Sequence, residues 1–246
     1  MKKILTLILA LCAVLSLTAC GGKTVTIYIL ETEQIYMADG SLYKTATCHY
    51  EEGWQEKDSF TVTVTGNADV SGDLNTIVYS ERKIVMEDSA GVIGETNYDE
   101  KGQTVMTVIY FADGGRQEVI YTRDSKGRVV TEVAKNYQSE TAEPVTMTVN
   151  YTYTETETGS TATYSVGLTT YVEEYDKNGQ KIAVVLRQMN GYELSRMEMT
   201  YDDNGNMVRR VDYSDGKKSM ETRCTYKAVE VSAKTAARLP QLKQGK

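Results

Sequence analysis

Apolar and polar residues alternate with a period of two along most of this 246-residue chain. The clearest run is 145–153, where valine, methionine and tyrosine alternate with threonine and asparagine. A period of two places successive side chains on opposite faces of a β-strand, and β-branched and aromatic residues favour strands. The best helical candidate is the stretch 228–239, whose apolar face is weak. The pattern therefore predicts an all-β chain with at most a short helix near its C-terminus.

Two recurring turn motifs separate the predicted strands. Tyr-Asp-x-x-Gly begins at Tyr98, Tyr175 and Tyr201, and 124–127 is a variant without the adjacent tyrosine. Its aspartate can accept hydrogen bonds from nearby backbone N–H groups, and its glycine can take the left-handed conformation that ends a type I turn with a bulge. A shorter turn alternates with it and has its aspartate next to the glycine, at Asp39, Asp113 and Asp215. Both motifs predict tight β-hairpins.

The tyrosine spacing is regular enough to predict a repeated hairpin. Tyr98, Tyr110 and Tyr121 lie 12 and 11 residues apart, so each step is one strand plus one turn. The residue two positions before each tyrosine is usually apolar, which predicts that these tyrosines share one buried face; Thr96 and Glu173 break the rule and indicate local irregularity. We therefore expect an antiparallel meander of about 12–15 strands that forms a twisted, curved open sheet or half-barrel.

The Tyr-Asp-x-x-Gly hairpins resemble those of the YD-repeat, or RHS-type, family of bacterial proteins. The matching segments, 98–135 and 175–226, make up about two-fifths of the mature chain predicted below. The resemblance implies a curving antiparallel sheet of hairpins. It does not extend to the toxin-associated members of that family, which wrap a cargo with many more repeats. The segments 23–95 and 136–174 depart from the pattern, and the second is expected to form a long hairpin with its tip at 155–160.

The N-terminus carries the features of an export signal. Lys2 and Lys3 precede an apolar run over 4–17, which is too short to span a bilayer comfortably. The run ends in Leu17-Thr18-Ala19-Cys20, which resembles the lipobox of bacterial lipoproteins. The resemblance implies cleavage before Cys20 and a diacylglyceryl anchor on its thiol, at the outer face of the cell membrane or in an outer membrane. An ordinary cleavable signal or an uncleaved anchor helix is the alternative.

These boundaries divide the chain into a signal peptide at 1–19, a lipidated anchor and linker at 20–23, one β domain at 24–232 and a tail at 233–246. Cleavage removes two lysines and no acidic residue, which lowers the net charge from −7 to −9. Because the lysines and arginines are scattered singly or in pairs, no basic stripe is available for a nucleic acid. We therefore expect no nucleic-acid partner.

The chain has few of the residues that catalysis or metal binding requires. His49 is the only histidine, and alternation turns it away from Cys48. The sequence has no histidine cluster and no Cys-x-x-Cys motif that could form a zinc site. Adjacent acids such as Glu173-Glu174 face opposite ways on a strand, so we interpret them as solvated edge charges. The expectation is a protein without catalytic residues, metal site or cofactor.

Two cysteines remain after the anchor, Cys48 and Cys224, and each lies two residues before a tyrosine. A disulfide between them would close a loop of about 175 residues, which is worth about 4–5 kcal/mol in the chain-entropy model. Such a bond requires the first and last parts of the sheet to meet. Two buried free thiols are the alternative.

Trp54 is the single tryptophan of the chain and lies in a glycine-containing turn. An exposed indole there would be a stacking platform for a sugar or a peptide. The alternative is a cap over one end of the hydrophobic core.

Four functions are open to such a protein. The first is a non-catalytic, lipid-anchored module of the cell envelope that binds a glycan, a peptide or a protein. The second is an envelope carrier or chaperone that holds a lipid or an apolar segment in a concave sheet lined by Met106, Val108, Met147, Met197 and Met199. The third, a hydrolase, needs two acids that converge across strands; the fourth is a purely structural role.

The resemblance to a lipobox predicts the effect of a substitution at Cys20. Replacing Cys20 with serine removes the thiol that accepts the diacylglycerol, so we expect the Cys20→Ser chain to lose its acyl groups and the cleavage that depends on them. Mass spectrometry of the N-terminal peptide measures both. Cys12→Ser, a change within the apolar run, should leave them unaltered. Acylation of the Cys20→Ser chain would contradict the assignment.

Overall fold

A computed structural model describes residues 24–66, 76–139 and 141–238; the signal peptide, Cys20 and 239–246 lie outside this range. The described chain is almost entirely β-structure. Its strands are β1 (Thr24–Met37), β2 (Leu42–Tyr50), β3 (Phe60–Gly66), β4 (Thr76–Ser80), β5 (Lys83–Asp88), β6 (Gly91–Tyr98), β7 (Thr104–Tyr110), β8 (Arg116–Arg123), β9 (Val129–Tyr137), β10 (Val145–Asn150), β11 (Thr152–Thr156), β12 (Gly159–Val166), β13 (Thr169–Asp176), β14 (Lys181–Gln188), β15 (Glu193–Tyr201), β16 (Met207–Ser214) and β17 (Lys217–Ser232). A 3₁₀ turn covers Trp54–Glu56, and one helix, α1, covers Ala233–Arg238.

Each strand pairs antiparallel with the strand next to it in sequence, so the predicted antiparallel meander is confirmed. β10 and β11 follow one another through Tyr151; the first pairs with β9 and the second with β12. The sheet also curves until β1 pairs with β17 along nearly all of β1. It is therefore a nearly closed, barrel-like sheet of 17 strands, more strands and more curvature than the sequence led us to expect.

The two turn motifs fold into one geometry. In the Tyr-Asp-x-x-Gly turn, the Asp99 N–H donates to the carbonyl of Gln103, the Gly102 N–H donates to the carbonyl of Asp99, and the Asp99 carboxylate accepts from Lys101 and Gln103. The shorter turn at Asp113 has the same backbone bonds, but its aspartate accepts only from the N–H of Gly115. These two motifs thus place the aspartate at different positions of the same backbone turn.

The turn at Asp215 is the exception, because its backbone differs from the others. Asp215 and Gly216 both have positive φ, at 48° and 70°, and Ser214 pairs directly with Lys217. Two left-handed residues between paired strands are typical of a two-residue hairpin turn. Turns that share an Asp-Gly pair therefore have two different backbone conformations.

The meander gives the sheet two chemically different ends. The Tyr-Asp-x-x-Gly turns all lie at the end where β1 begins, together with α1, because alternate turns of a meander share an end. The opposite end carries exposed apolar residues at its turns, among them Leu168 and Met189, which are 75% and 77% exposed. We call the first the anchor-side end, after the anchor predicted at Cys20, and the second the far end.

The sheet also has two different faces, which follow from the register because directly paired residues share a face. On one face, Thr107 lies between Thr96 and Val119, and Ala134 continues the row. The other face carries ion pairs: Glu221 is buried and meets Arg209, Lys218 and Arg223. These three cations hold the pKa of the Glu221 carboxyl well below its usual range through their hydrogen bonds.

The tyrosines divide between these faces. Tyr98 and Tyr121 lie on the face of Thr96, whereas Tyr110 lies on the ion-paired face with Val108. Tyr201 and Tyr226 likewise lie on the face of Thr96, whereas Tyr213 lies on the ion-paired face. The inference that these tyrosines share one face is therefore wrong. Each step of 11 to 13 residues passes through a turn and its bulge and moves the tyrosine to the opposite face of the sheet. Every second tyrosine therefore lies on the same face.

The hydrophobic core is small and lies at the anchor-side end. It contains Ile27, Ile29, Phe60, Val62, Val231, Ala236 and Trp54. α1 closes this core through Ala236, and Thr235 donates a hydrogen bond to the carbonyl of Gln55. The stretch 228–232, which we expected to be helical, is instead the end of β17. Within the described ranges, no helix has the length and apolar character needed to cross a membrane.

The turn geometry predicts how substitutions at Gly179 behave. Gly179 has a φ of +79° and open space where a Cβ would be, so Gly179→Ala introduces left-handed strain without a clash. We expect a loss of about 1 kcal/mol, measured as a lower urea midpoint with an unchanged m-value. Gly179→Asn is the matched control and should lose less, because asparagine tolerates this conformation. Equal losses would contradict the backbone explanation.

Candidate functional site

A cavity of about 450 Å³ lies on the face that carries Thr96. Its lining comes from β6 to β9, from Tyr151 and from β13 and β14: Thr96, Tyr98, Thr104, Thr107, Tyr121, Arg123, Val129, Glu132, Tyr151, Glu173, Tyr175 and Lys181. Because strands on opposite sides of the ring contribute to one cavity, this face is the concave face. Most of the lining residues are close to the Tyr-Asp-x-x-Gly turns, which places the cavity near the anchor-side end.

Glu173 is the most deeply buried charge of the cavity, at 6% exposure. Tyr175 donates its hydroxyl to one carboxylate oxygen, and the Lys181 ammonium lies 2.9 Å from the other. Burial raises the pKa of the Tyr175 hydroxyl, and the hydrogen bond to Glu173 raises it further. Glu173 is thus a fixed, compensated carboxylate.

Glu132 is the second carboxylate of the cavity. The Tyr151 hydroxyl donates to its Oε1 at 2.6 Å, and burial together with this bond raises the pKa of Tyr151. Tyr151 also packs against Tyr164, whose ring stacks on Tyr171 with centroids 4.9 Å apart. Tyrosine rings and hydroxyls therefore make up much of this part of the concave surface.

Arg123 supplies the remaining charge. Its Nη1 and Nη2 groups each donate at 3.0 Å to a backbone carbonyl, those of Gly127 and Thr104. The Nε–H group is buried and has no hydrogen-bond partner in the part of the chain that the structure describes. The guanidinium is thus held in place by neutral groups.

Two residues of this site stand out in the sequence. Thr96 and Glu173 are the polar exceptions two residues before a tyrosine, and both line the cavity. They are polar residues on a polar concave surface, not the local irregularity that the sequence pattern predicts. The description of Glu173 as a solvated edge charge is also wrong, because β13 pairs with strands on both sides and Glu173 is buried. Glu132, Lys181 and Arg123 carried no comparable signal.

Cys48 and Cys224 are free thiols in the structure. The first and last parts of the sheet do meet, but β1 lies between β2 and β17 and separates the two cysteines. Two interstrand spacings amount to about 10 Å, beyond the Cα separation that a disulfide allows. The disulfide therefore does not form in this fold. Burial raises the pKa of the Cys224 thiol to about 11, which keeps it protonated at neutral pH.

Trp54 is not an exposed platform, since only 4% of it is accessible. Its ring packs against Phe60 at 4.9 Å and Tyr50 at 5.8 Å between centroids. The indole is therefore packed within the core cluster rather than presented at the surface. The alternative interpretation, a cap over one end of the core, matches its position.

His49 lies away from the cavity, and its Nε2 is 2.9 Å from the hydroxyl of Thr65. Among the residues that the structure describes, no group of three or more histidine, cysteine, aspartate or glutamate side chains is placed to hold a metal ion. The chemistry of the cavity therefore rests on its two carboxylates, two cations and tyrosine hydroxyls.

The methionines expected to line a carrier do not share a face. Met147 lies opposite Ala134 on the concave face, and Met197 lies opposite Val184 there. Met106 and Val108 lie on the ion-paired face. These residues therefore form no continuous apolar lining.

Comparisons with known proteins show only distant structural similarity. A porin-like protein from Bacteroides uniformis aligns over 82% of this chain and 97% of its own, with 10% sequence identity and a TM-score of 0.44. A protein from Bacteroides fragilis, described as a candidate exported protein with a YmcC-like fold, aligns over 82% of this chain and 94% of its own, with 12% identity and a TM-score of 0.25. No protein-family model and no curated protein matches the sequence, so the YD-repeat resemblance stays a prediction.

The tyrosines predict how stability depends on pH. Burial raises the pKa of Tyr50, Tyr79, Tyr151, Tyr164, Tyr175 and Tyr226. Above pH 10 the unfolded chain loses these protons while the folded chain keeps them, so stability should fall as the pH rises. The slope is at most about 1.4 kcal/mol per pH unit for each group.

Urea unfolding at pH 8, 10 and 11, with phenolate absorbance near 295 nm, measures this effect. Tyr151→Phe should make the decline shallower, because one coupled hydroxyl is gone. Titration of all tyrosines near pH 10 in a chain with an unchanged circular dichroism spectrum would contradict the prediction.

Proposed function

We propose that this protein is a non-catalytic, lipid-anchored module of the cell envelope that binds a glycan in its concave cavity. The observation that carries the proposal is the lining itself, in which tyrosine rings stand beside threonine hydroxyls, carboxylates and a guanidinium. Sugars present apolar ring faces and a periphery of hydroxyl groups, so they need aromatic surface and hydrogen-bonding groups together. The cavity volume of about 450 Å³ is within the range of small-molecule sites and large enough for one or two sugar rings.

The place of the cavity relative to the predicted anchor supports an envelope ligand. β1 begins at Thr24, four residues after Cys20, and four residues span at most about 14 Å. The anchor-side end would therefore lie next to the membrane. A glycan close to the membrane surface would be within reach of the cavity, while the apolar turns of the far end would point away.

Binding without catalysis is favoured by the state of the two carboxylates. Both oxygens of Glu173 have donors of their own, Tyr175 and Lys181, and Glu132 accepts from Tyr151. In glycoside hydrolysis one carboxyl group must be free to give a proton while the other attacks or activates water. Groups held in this way are better suited to orienting a ligand's hydroxyls.

The experiment is a screen of the full chain, purified in detergent, against an array of bacterial cell-wall and capsular glycans. Affinities of the glycans that bind are then measured by calorimetry. We expect Tyr98→Ala and Tyr121→Ala to weaken binding by about tenfold each, or about 1.4 kcal/mol, through loss of ring surface in the cavity. Tyr110→Ala is the matched control, since this tyrosine lies on the ion-paired face.

Three outcomes would contradict the proposal. One is the absence of glycan binding by a folded chain, and another is equal weakening by Tyr110→Ala. The third is the release of new reducing ends from a bound glycan, which would replace binding with hydrolysis. Recovery of the intact glycan, with losses confined to the cavity variants, supports it.

A further inference from the structure

We infer that the cavity recognises an anionic sugar, and that Arg123 binds its carboxylate or phosphate group. This inference rests on the proposed glycan-binding function and adds the chemical class of the ligand. Its basis is the unequal compensation of the four charged side chains that line the cavity.

Two of these charges form an ion pair with each other, and the third accepts a hydrogen bond from a neutral hydroxyl. Lys181 lies against Glu173 at 2.9 Å, and that carboxylate also accepts from Tyr175. Glu132 accepts from the Tyr151 hydroxyl at 2.6 Å. These contacts leave the carboxylates hydrogen-bonded and the lysine neutralised before any ligand arrives.

Arg123 is different, because its two hydrogen-bond acceptors are backbone carbonyls. None of the ion pairs among the described residues includes Arg123. Carbonyls fix the position of the guanidinium but do not cancel its charge. Only two of its five N–H donors are used, and the Nε–H is buried without a partner.

A buried donor without an acceptor costs about 1–3 kcal/mol, and a charge-assisted hydrogen bond to an anion is about twice as strong as a neutral one. An anionic oxygen near Arg123 would supply the missing charge and would accept hydrogen bonds from the unused N–H groups of Nη1 and Nη2. Thr104 and Thr107 line the same cavity and can hydrogen-bond the rest of a sugar. A held, uncompensated guanidinium thus selects a negatively charged substituent.

The two sources of such a charge, a uronic acid and a sugar phosphate, are distinguished by three probes that differ at one carbon. Glucose, glucuronic acid and glucose 6-phosphate carry a hydroxymethyl, a carboxylate and a phosphate group at that position; galactose, galacturonic acid and galactose 6-phosphate repeat the series with another ring. Saturation-transfer NMR on the full chain in detergent gives their relative affinities. We expect at least one anionic member to bind about tenfold more tightly than its neutral counterpart, and the stronger of the two identifies the source.

Three variants test whether Arg123 causes the preference for an anionic sugar. Arg123→Gln should abolish the tenfold difference and leave the neutral sugar unaffected within about twofold. Glu132→Gln removes a negative charge of the lining that would repel an anion, and it should increase the preference. Arg128→Gln is the matched control, because Arg128 is paired with Asp124 and Glu155 outside the cavity, and it should retain the preference.

The outcomes separate this inference from the proposed function. Equal binding of neutral and anionic sugars by the unmodified chain overturns the anionic class and leaves glycan binding intact; this comparison does not depend on the folding of any variant. A preference that survives Arg123→Gln overturns the role of Arg123. Failure of all six sugars, together with failure of the glycan array, overturns both.

Discussion

The pairing of β1 with β17 is the constraint on which the rest of the structure depends. It runs from Thr24 opposite Ser232 to Met37 opposite Met220, and so joins the two ends of the described sheet. Without it both strands would be open edges, and an open sheet would not hold β6 and β14 around one cavity. The pairing joins residues that are almost the whole domain apart in sequence, so it carries a large loop-closure entropy and makes slow folding the expectation. The cavity and the expected slow folding therefore have the same origin.

A sheet closed in this way has no second layer to cover its concave face, and this explains the use of tyrosine. The chain has 18 tyrosines and only 2 phenylalanines. Several tyrosine hydroxyls bond a carbonyl on a neighbouring strand, as Tyr50 does with Leu30 and Tyr201 with Lys181. One side chain thus covers backbone with its ring and ties two strands together with its hydroxyl. Phenylalanine could supply only the first of these contributions.

The sequence predicted the features that neighbouring residues determine, but not the features that depend on pairing between distant strands. The hairpins, the antiparallel order and the aspartate-capped turns follow from residues within one turn, so Asp99 and its counterparts could be interpreted correctly. Closure could not be predicted, because a period of two specifies faces but not which distant strands meet. The burial of Trp54 depends on Phe60 and α1 packing over the turn that contains it. The role of Glu173 depends on β14, which places Lys181 beside it. The polar exceptions at Thr96 and Glu173 were the one visible sign of the site.

The polar lining also decides which class of ligand can occupy the cavity. An acyl chain that filled it would remove water from Arg123 and Glu132 and give back no hydrogen bonds. Each polar group buried in that way costs about 1–3 kcal/mol, and charged groups cost more. The apolar surface that such a chain would gain is limited, because Val129 is the one aliphatic residue of the lining. A hydroxylated ligand restores these hydrogen bonds as it displaces the water, and an anionic one also compensates the guanidinium. The charges that make the cavity unsuitable for a lipid are therefore the same groups that favour an acidic sugar.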